Sequence, residues 1–321
     1  MRLFDNAQYN LMRGWKPALI ITILFAIPGL VLLGIRGLNS SIEFTGGTLI
    51  QLHANDPAIN TAGIRSALAA GGIVGAEIQT FGAPDEFVIR ARLDPRAEQS
   101  ESTTQETREA VRLALTETFS AEAFVIDRAE AVSPKVSGEL RERAVLALLM
   151  GFGATFLVLW LRYEWRFGLA AIIATLHDIV ATFAFVSYLN LEVSLVVLAA
   201  LLTLVGYSLN DTIVTFDRVR ENVKKSKRGD YFYNLLNRSI NETLPRTVLT
   251  SGTTAAATLA LLILGGSVIR PFAWVMTFGI VTGTFSSIFI ASPVLLWIER
   301  RWPSEDVKIM KGAGMAAPAT T

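Results

Sequence analysis

Long apolar runs and a single polar tract alternate along the chain, and this pattern divides it before any individual residue is weighed. Pro17 to Ile35 is apolar and predicts a first membrane helix over residues 17–37. Arg2, Arg13 and Lys16 ahead of it would also suit a signal peptide. The apolar run exceeds the about 7–15 residues of such a peptide, and Arg36-Gly37-Leu38-Asn39-Ser40 offers no A-x-A site, so a retained helix is expected. Five further apolar runs follow residue 140, with spans predicted at 143–161, 167–188, 193–215, 247–264 and 272–298. Pro245 and Pro271 fall at predicted helix starts, where a missing N–H costs little.

Residues 38–139 between the first and second spans have the character of a soluble domain. Ile42 to His53 reads as a strand, Asn60 to Ala70 as a helix, and Glu77 to Leu93 as two strands turned at Gly82-Ala83-Pro84-Asp85-Glu86. A polar loop from Asp94 to Gln105, a helix from Glu106 to Phe119 and a strand from Phe124 to Val132 complete a β-α-β-β-α-β order. The predicted fold is a polytopic α-helical membrane protein of six transmembrane helices, with one external ferredoxin-like α+β domain between helices 1 and 2. His53 stands alone and reads as a strand residue rather than a ligand.

Polar residues inside the spans are the candidates for function. In the fourth span Ser208, Asp211, Thr215 and Arg218 recur at i, i+3, i+7 and i+10, with Asn210 beside them. An ionised Asp at bilayer depth costs about 2.5–3.5 kcal/mol on insertion scales, so such residues face a bundle interior and serve ion or proton pathways. In the third span Asp178 sits between Thr175 and Thr182, twelve residues from Arg166 and hence about 18 Å deep at 1.5 Å per residue. The fifth span puts Arg246, Thr250, Thr253 and Ala257 on one face, which makes an Arg246–Asp211 pair possible. That pair could equally be static and fix helix register only. His177 or threonine hydroxyls could satisfy Asp178, and His177-Asp178 has no nucleophile with it to make a hydrolase pair. In the sixth span Gly279 and Gly283 form a G-x-x-x-G pattern that permits close helix packing.

Composition agrees with a membrane protein: 51% of the 321 residues are hydrophobic, 18% are charged, and mean hydropathy is +0.44. A net charge of +1 argues against a general nucleic-acid binder. With no cysteine, disulfides, thiolate metal sites and thiol catalysis are excluded. The distribution of Lys and Arg adds orientation. One side collects the N-terminal residues 1–16, Arg162 and Arg166, the connection 218–246 and the tail 301–321, whereas the short loops of the other side hold only Arg270. Both termini are therefore expected in the cytoplasm and the α+β domain outside. Tyr231 to Leu244 reads as an interfacial segment or an ordinary loop, and Glu192 as a solvated loop residue.

Several stretches in series resemble the SecF family of bacterial protein-export subunits: Gly206-Tyr207-Ser208-Leu209-Asn210-Asp211-Thr212 with Phe216-Asp217-Arg218-Val219-Arg220-Glu221-Asn222, Arg246-Thr247-Val248-Leu249-Thr250-Ser251-Gly252-Thr253-Thr254, Leu176-His177-Asp178, and Val132-Ser133-Pro134-Lys135-Val136. Two departures stand out. The family's G-I-D-F-x-G-G is Ser41-Ile42-Glu43-Phe44-Thr45-Gly46-Gly47 here, and Ser133 and Ser137 replace glycines. The resemblance implies half of a resistance-nodulation-division transporter, located in the bacterial inner membrane. Its implied partners are a SecD-type subunit, the SecYEG channel, YajC and unfolded preproteins, with no nucleic acid. It also implies a non-enzymatic role with no cofactor and with protons as the coupling ion, Asp211 as the proton-pathway carboxylate, Arg246 as its charge partner and Asp178 as a further candidate. A passive translocon scaffold and an independent small-molecule exporter are the alternatives.

Overall fold

The computed structural model describes residues 8–73, 76–81, 83–91, 101–132, 134–226 and 229–311. Among the described residues six helices are long and apolar enough to cross a membrane: Leu11–Arg36, Lys135–Arg162, Trp165–Tyr188, Leu195–Lys225, Phe232–Leu264 and Val268–Arg301. The chain forms two compact units. One holds residues 1–38, 148–191 and 196–321, and the other Asn39–Ala147 with Glu192–Leu195.

In the helical unit, a short 3-10 turn, Leu11–Gly14, leads into α1, Trp15–Arg36, which ends where Gly37 takes a positive φ of 75° and its N–H bonds to Leu33. Helix α1 packs on α6, Trp165–Tyr188. A Cβ placed on Gly29 would come within 2.5 Å of the Ala184 Cβ, so this crossing needs glycine. The buried centre includes Ala170, Ala174, Val205, Leu209, Phe216, Ile290 and Leu295.

The fourth and fifth spans run further into the expected cytoplasmic loop than the apolar pattern predicts. Helix α7 spans Leu195–Lys225 and α8 spans Phe232–Leu264, so most of the expected loop over 218–246 is helical; Lys227 and Arg228 lie outside the described residues. Pro245 is inside α8, not at its start. The cause is visible in burial: Phe232, Leu235, Leu236 and Ile240 repeat at helical spacing and pack into the core, which outweighs the one backbone bond that Pro245 forfeits. The last span is not one regular helix either. Helix α9, Gly266–Ser286, passes through a π-helical turn at Ser287–Ala291 into α10, Ser292–Arg301, with the Ser292 hydroxyl donating to the Ser287 carbonyl at 3.1 Å. Pro271 is the sixth residue of α9. A short helix α11, Glu305–Lys311, follows.

The second unit begins with α2, a single turn over Ile42–Thr45, and continues through β1 (Gly47–Ala54), α3 (Thr61–Ala70), β2 (Glu77–Phe81), β3 (Ala83–Ala91), α4 (Glu101–Thr118) and β4 (Phe124–Val132). Helix α5, Pro134–Arg162, follows. The sheet order is β2-β3-β1-β4 with every neighbouring pair antiparallel, the arrangement of a ferredoxin-like β-α-β-β-α-β domain. Ile50, Leu52, Phe87 and Ile89 alternate along β1 and β3 and bury one face of the sheet under Ile64 and Leu68 of α3 and Val111 and Leu115 of α4. Asn60 caps α3, its side-chain oxygen accepting from the N–H groups of Ala62 and Gly63 at 3.1 and 2.9 Å.

Four local expectations change. Ile42–Thr45 is a helical turn and the strand starts only at Gly47, because Gly46 and Gly47 adopt φ of 71° and 121° and break the extended run. Glu101–Gln105, expected as loop, is the first part of α4; residues 94–100 lie outside the described residues, as do Gly82 and Ser133. Ala83 to Glu86, expected in a turn, already belong to β3. Glu192 is not simply solvated: its carboxylate meets the Arg90 guanidinium at 2.8 Å, with both side chains largely buried.

Candidate functional site

Asp178 on α6 and Asp211 on α7 lie inside the helical unit, 1% and 3% exposed, as does Glu299 of α10 at 1%, which has the Arg166 guanidinium 3.8 Å away. Burial of charged groups to this degree in a membrane bundle demands specific partners. The two aspartates find hydroxyls. Asp178 Oδ2 accepts from Ser286 Oγ at 2.7 Å and also from Ser208 Oγ, while Oδ1 meets His177 Nδ1 at 2.9 Å. The other His177 ring nitrogen reaches Thr22 Oγ1 of α1 at 3.3 Å. Asp211 Oδ2 accepts from Ser251 Oγ of α8 at 2.9 Å, and Ser251 Oγ accepts in turn from Thr284 Oγ1 of α9 at 2.7 Å.

Helix α9 therefore serves both aspartates, through Thr284 on one side and Ser286 on the other. Its close approach to α7 depends on the predicted glycine pair. A Cβ on Gly279 would collide with the Leu204 side chain, and one on Gly283 would fall 3.0 Å from Ser208 Cβ. The Gly283 contact sets the same Ser208 that binds Asp178.

The stripe expected on α7 divides among three separate neighbours. Ser208 turns to Asp178, Asp211 to Ser251, and Thr215 Oγ1 lies 3.4 Å from Thr243 Oγ1 of α8. Arg218 joins an ionic cluster with Glu221 at 2.5 Å and Glu242 at 2.7 Å, and Asn222 Nδ2 also donates to Glu242 at 2.7 Å. Asn210 is exposed, about 100° around the helix from Asp211. Thr175 and Thr182, expected as possible donors to Asp178, instead bond back to the carbonyls of Ala171 and of Asp178 itself at 2.9 and 2.7 Å.

On α8 the expected face is the wrong one for Asp211. Arg246 and Thr253 are exposed, and Thr250 and Thr253 donate to backbone carbonyls of their own helix. Arg246 makes no direct ion pair with Asp211 among the described residues; its charge acts on Asp211 only through space. Five residues separate Arg246 from Ser251, which places them about 140° apart around the helix at 3.6 residues per turn. The buried face carries Thr247, Ser251 and Thr258. Their spacing of i, i+4 and i+11 is present in the sequence but is overshadowed by the arginine's stripe. Ser286 stands out in the sequence only as a neighbour of the glycine pair, and nothing in the pattern marks Thr284.

Chemically, both sites share one property: the nearest donors to each carboxylate are neutral hydroxyls, with a histidine added at Asp178. A hydroxyl donates to a carboxylate and can accept from a carboxylic acid, so these partners are compatible with either protonation state. Among the described residues no three His, Asp or Glu side chains gather as a metal site.

The family model described as protein export membrane protein SecD/SecF, C-terminal, matches residues 111–301, and the SecD/SecF GG motif matches residues 31–58. The chain belongs to the SecD/SecF family. A protein translocase subunit SecF of Gemmatimonas aurantiaca is 51% identical over 100% of this chain and 96% of its own length. One from Vibrio alginolyticus is 40% identical over 89% of this chain and 88% of its own. Among solved structures, SecDF of Thermus thermophilus, described as a translocon-associated membrane protein, superimposes with a TM-score of 0.81 at 38% identity. It covers 94% of this chain, which spans 40% of the solved SecDF chain. SecDF in a super-membrane-facing form matches with a TM-score of 0.63 at 37% identity. With six apolar helices of membrane-spanning length, this SecD/SecF chain is a multi-pass membrane protein.

Proposed function

We propose that this SecD/SecF chain is a non-enzymatic accessory subunit of the Sec protein-export machinery that uses proton flow, together with a SecD-type partner, to drive late movement of preproteins across the bacterial inner membrane. The observation that carries this reading is the pair of buried carboxylates, Asp178 and Asp211, met by hydroxyls of α7, α8 and α9 and, at Asp178, by His177, with no Lys or Arg paired directly to either among the described residues. Asp211 is the protonation site of the coupling cycle, Arg246 acts on it at longer range, and Asp178 with His177 forms a second protonatable centre. Both termini lie in the cytoplasm and the α+β unit outside, as the Lys and Arg asymmetry indicates. The SecYEG channel and YajC complete the assembly, unfolded preproteins are its substrate, and no cofactor beyond protons is involved.

The energetics suit the role. One elementary charge crossing about 100 mV releases about 2.3 kcal/mol, comparable with the cost of switching a helix contact. Replacing Asp211 with Asn keeps the shape and the hydrogen bond to Ser251. Export driven by the proton gradient, measured in membrane vesicles with intact complexes, is expected to fall to the level without a gradient. Undiminished gradient-dependent export would overturn the reading. The competing scaffold role draws on the satisfied hydrogen bonds of Asp178, and it predicts that the Asn variant exports normally while loss of the α+β unit does not.

A further inference from the structure

The residues just before and within α2 make an attachment that the proton chemistry does not use. Helix α7, which carries Asp211, begins at Leu195, and Glu192–Leu195 belong to the α+β unit rather than to the helical one. The Leu195 N–H, one of the four at the helix start without an intrahelical acceptor, donates to Glu43 Oε2 at 2.6 Å. The same Glu43 oxygen accepts from Ser41 Oγ at 3.3 Å, which fixes the carboxylate's direction.

Backbone pairing continues the attachment on both sides. Ser41 N–H donates to the Val193 carbonyl at 3.0 Å, and Val193 N–H donates to the Asn39 carbonyl at 2.7 Å, forming a parallel bridge between Ser40 and Val193. Arg90 of β3 then meets Glu192 at 2.8 Å and donates to Asn39 Oδ1 at 3.0 Å. Both charged side chains of that pair are largely shielded, Arg90 at 10% and Glu192 at 17% exposure, so the pair is held better than a surface contact.

The two glycines of the motif explain why the chain can be arranged so. Gly46 and Gly47, at φ of 71° and 121°, turn the chain from α2 into β1, and Gly46 N–H closes α2 on the Ile42 carbonyl at 2.8 Å. A side chain at either position would strain that turn. The one-turn helix so formed presents Glu43 to the start of α7, where an anion is favoured by the helix dipole and accepts from the Leu195 N–H.

We infer that the Ser41–Gly47 turn is a strap that caps the start of α7 at Leu195, with Glu43 as the residue that positions this helix start. The inference about the strap stands on its own geometry; its use in transport rests on the function proposed above.

The experiment uses the full chain with its SecD-type partner in lipid nanodiscs and membrane vesicles. Hydrogen exchange is followed in peptides covering residues 190–200, and gradient-dependent export is measured in parallel. Glu43→Ala is expected to speed exchange at the first turn of α7 about fivefold, the scale of a lost helix cap, and Glu43→Gln, which keeps an acceptor, by less. Export is expected to fall with the same ranking. Because the chain has no cysteine, Ser40→Cys with Val193→Cys can close the strap covalently in the Glu43→Ala background. Disulfide formation is expected to restore both slow exchange and export, and reduction to abolish the rescue.

Unchanged exchange in Glu43→Ala overturns the cap. Faster exchange with undiminished export, or a formed disulfide that restores exchange but not export, overturns the positioning role. Asp211→Asn in the same assay separates the two proposals: if that variant exports normally the proton reading fails, while exchange at residues 190–200 still decides whether the strap exists.

Discussion

Ser208 of α7 lies between Gly283 of α9 and Asp178 of α6, so that one serine is at once a packing contact and a hydrogen-bond donor to a buried carboxylate. Adding a methyl group to Gly283 would bring it to 3.0 Å from Ser208 Cβ and 3.2 Å from Ser208 Cα. The backbone atom leaves no flexible side-chain end to move aside. Gly283→Ala is expected to lower stability by about 1–3 kcal/mol through overpacking, read as a drop in thermal midpoint of the purified protein. Gly279→Ala puts a Cβ against both Leu204 methyl carbons and within 2.9 Å of its Cγ, and because Leu204 is itself fully buried a loss at least as large is expected.

Ser251 and Thr250 offer a direct comparison on one helix. Ser251 is buried and donates to Asp211, whereas Thr250 bonds to its own backbone. Ser251→Ala leaves the Asp211 carboxylate without its hydroxyl donor, at a cost of about 1–3 kcal/mol, while Thr250→Ala is expected to stay within about 0.5 kcal/mol. Chemical denaturation of the two variants in the same detergent tests this. Equal losses would mean that the hydroxyl on Asp211 contributes nothing.

Asp178 receives three side-chain contacts, and its replacements separate shape from charge. Asp178→Asn keeps an acceptor for Ser208 and Ser286 and is expected to retain most of the stability. Asp178→Ala strands those hydroxyls and opens a void, with an expected loss of about 2–5 kcal/mol. If the Asn variant is as unstable as the Ala variant, the charge itself is structural.

The α+β unit has a core of its own, and Phe87 is its largest fully buried side chain, at 1% exposure. Phe87→Ala is expected to cost about 3–5 kcal/mol, and limited proteolysis should then cut first within residues 39–132. Cleavage confined to the helical unit would count against an independent core.

The elements read most directly from sequence are those in which local pattern and tertiary packing agree. The strand Phe124–Val132 alternates, Asn60 caps a helix that ends at glycine, and six spans are apolar enough to need a bilayer. Elsewhere composition points one way and packing the other. Glu101 to Gln105 are polar yet form the start of α4, and Phe232 to Leu244 are helical because their buried face continues past the membrane run. At the site, both acids are evident from their depth, but their partners are not. Ser251, Thr284 and Ser286 are small hydroxyl residues of a kind common in membrane helices for packing alone, and only three-dimensional convergence distinguishes them. Arg246 draws attention by its charge, and rotation about the helix axis keeps it from direct contact with Asp211.

The π-helical turn at Ser287–Ala291 acts as a phase shift in the last span. A turn that closes on i+5 holds about one residue more than a regular one, so the faces of α9 and α10 are offset by about 100° from a continuous helix. Thr284 and Ser286 can face the two acids while Leu295 and Ile298 still face the core. Removing one residue within 287–291 would bring the two halves back into register and rotate one set of contacts out of place, so this short stretch is expected to tolerate substitution far better than deletion.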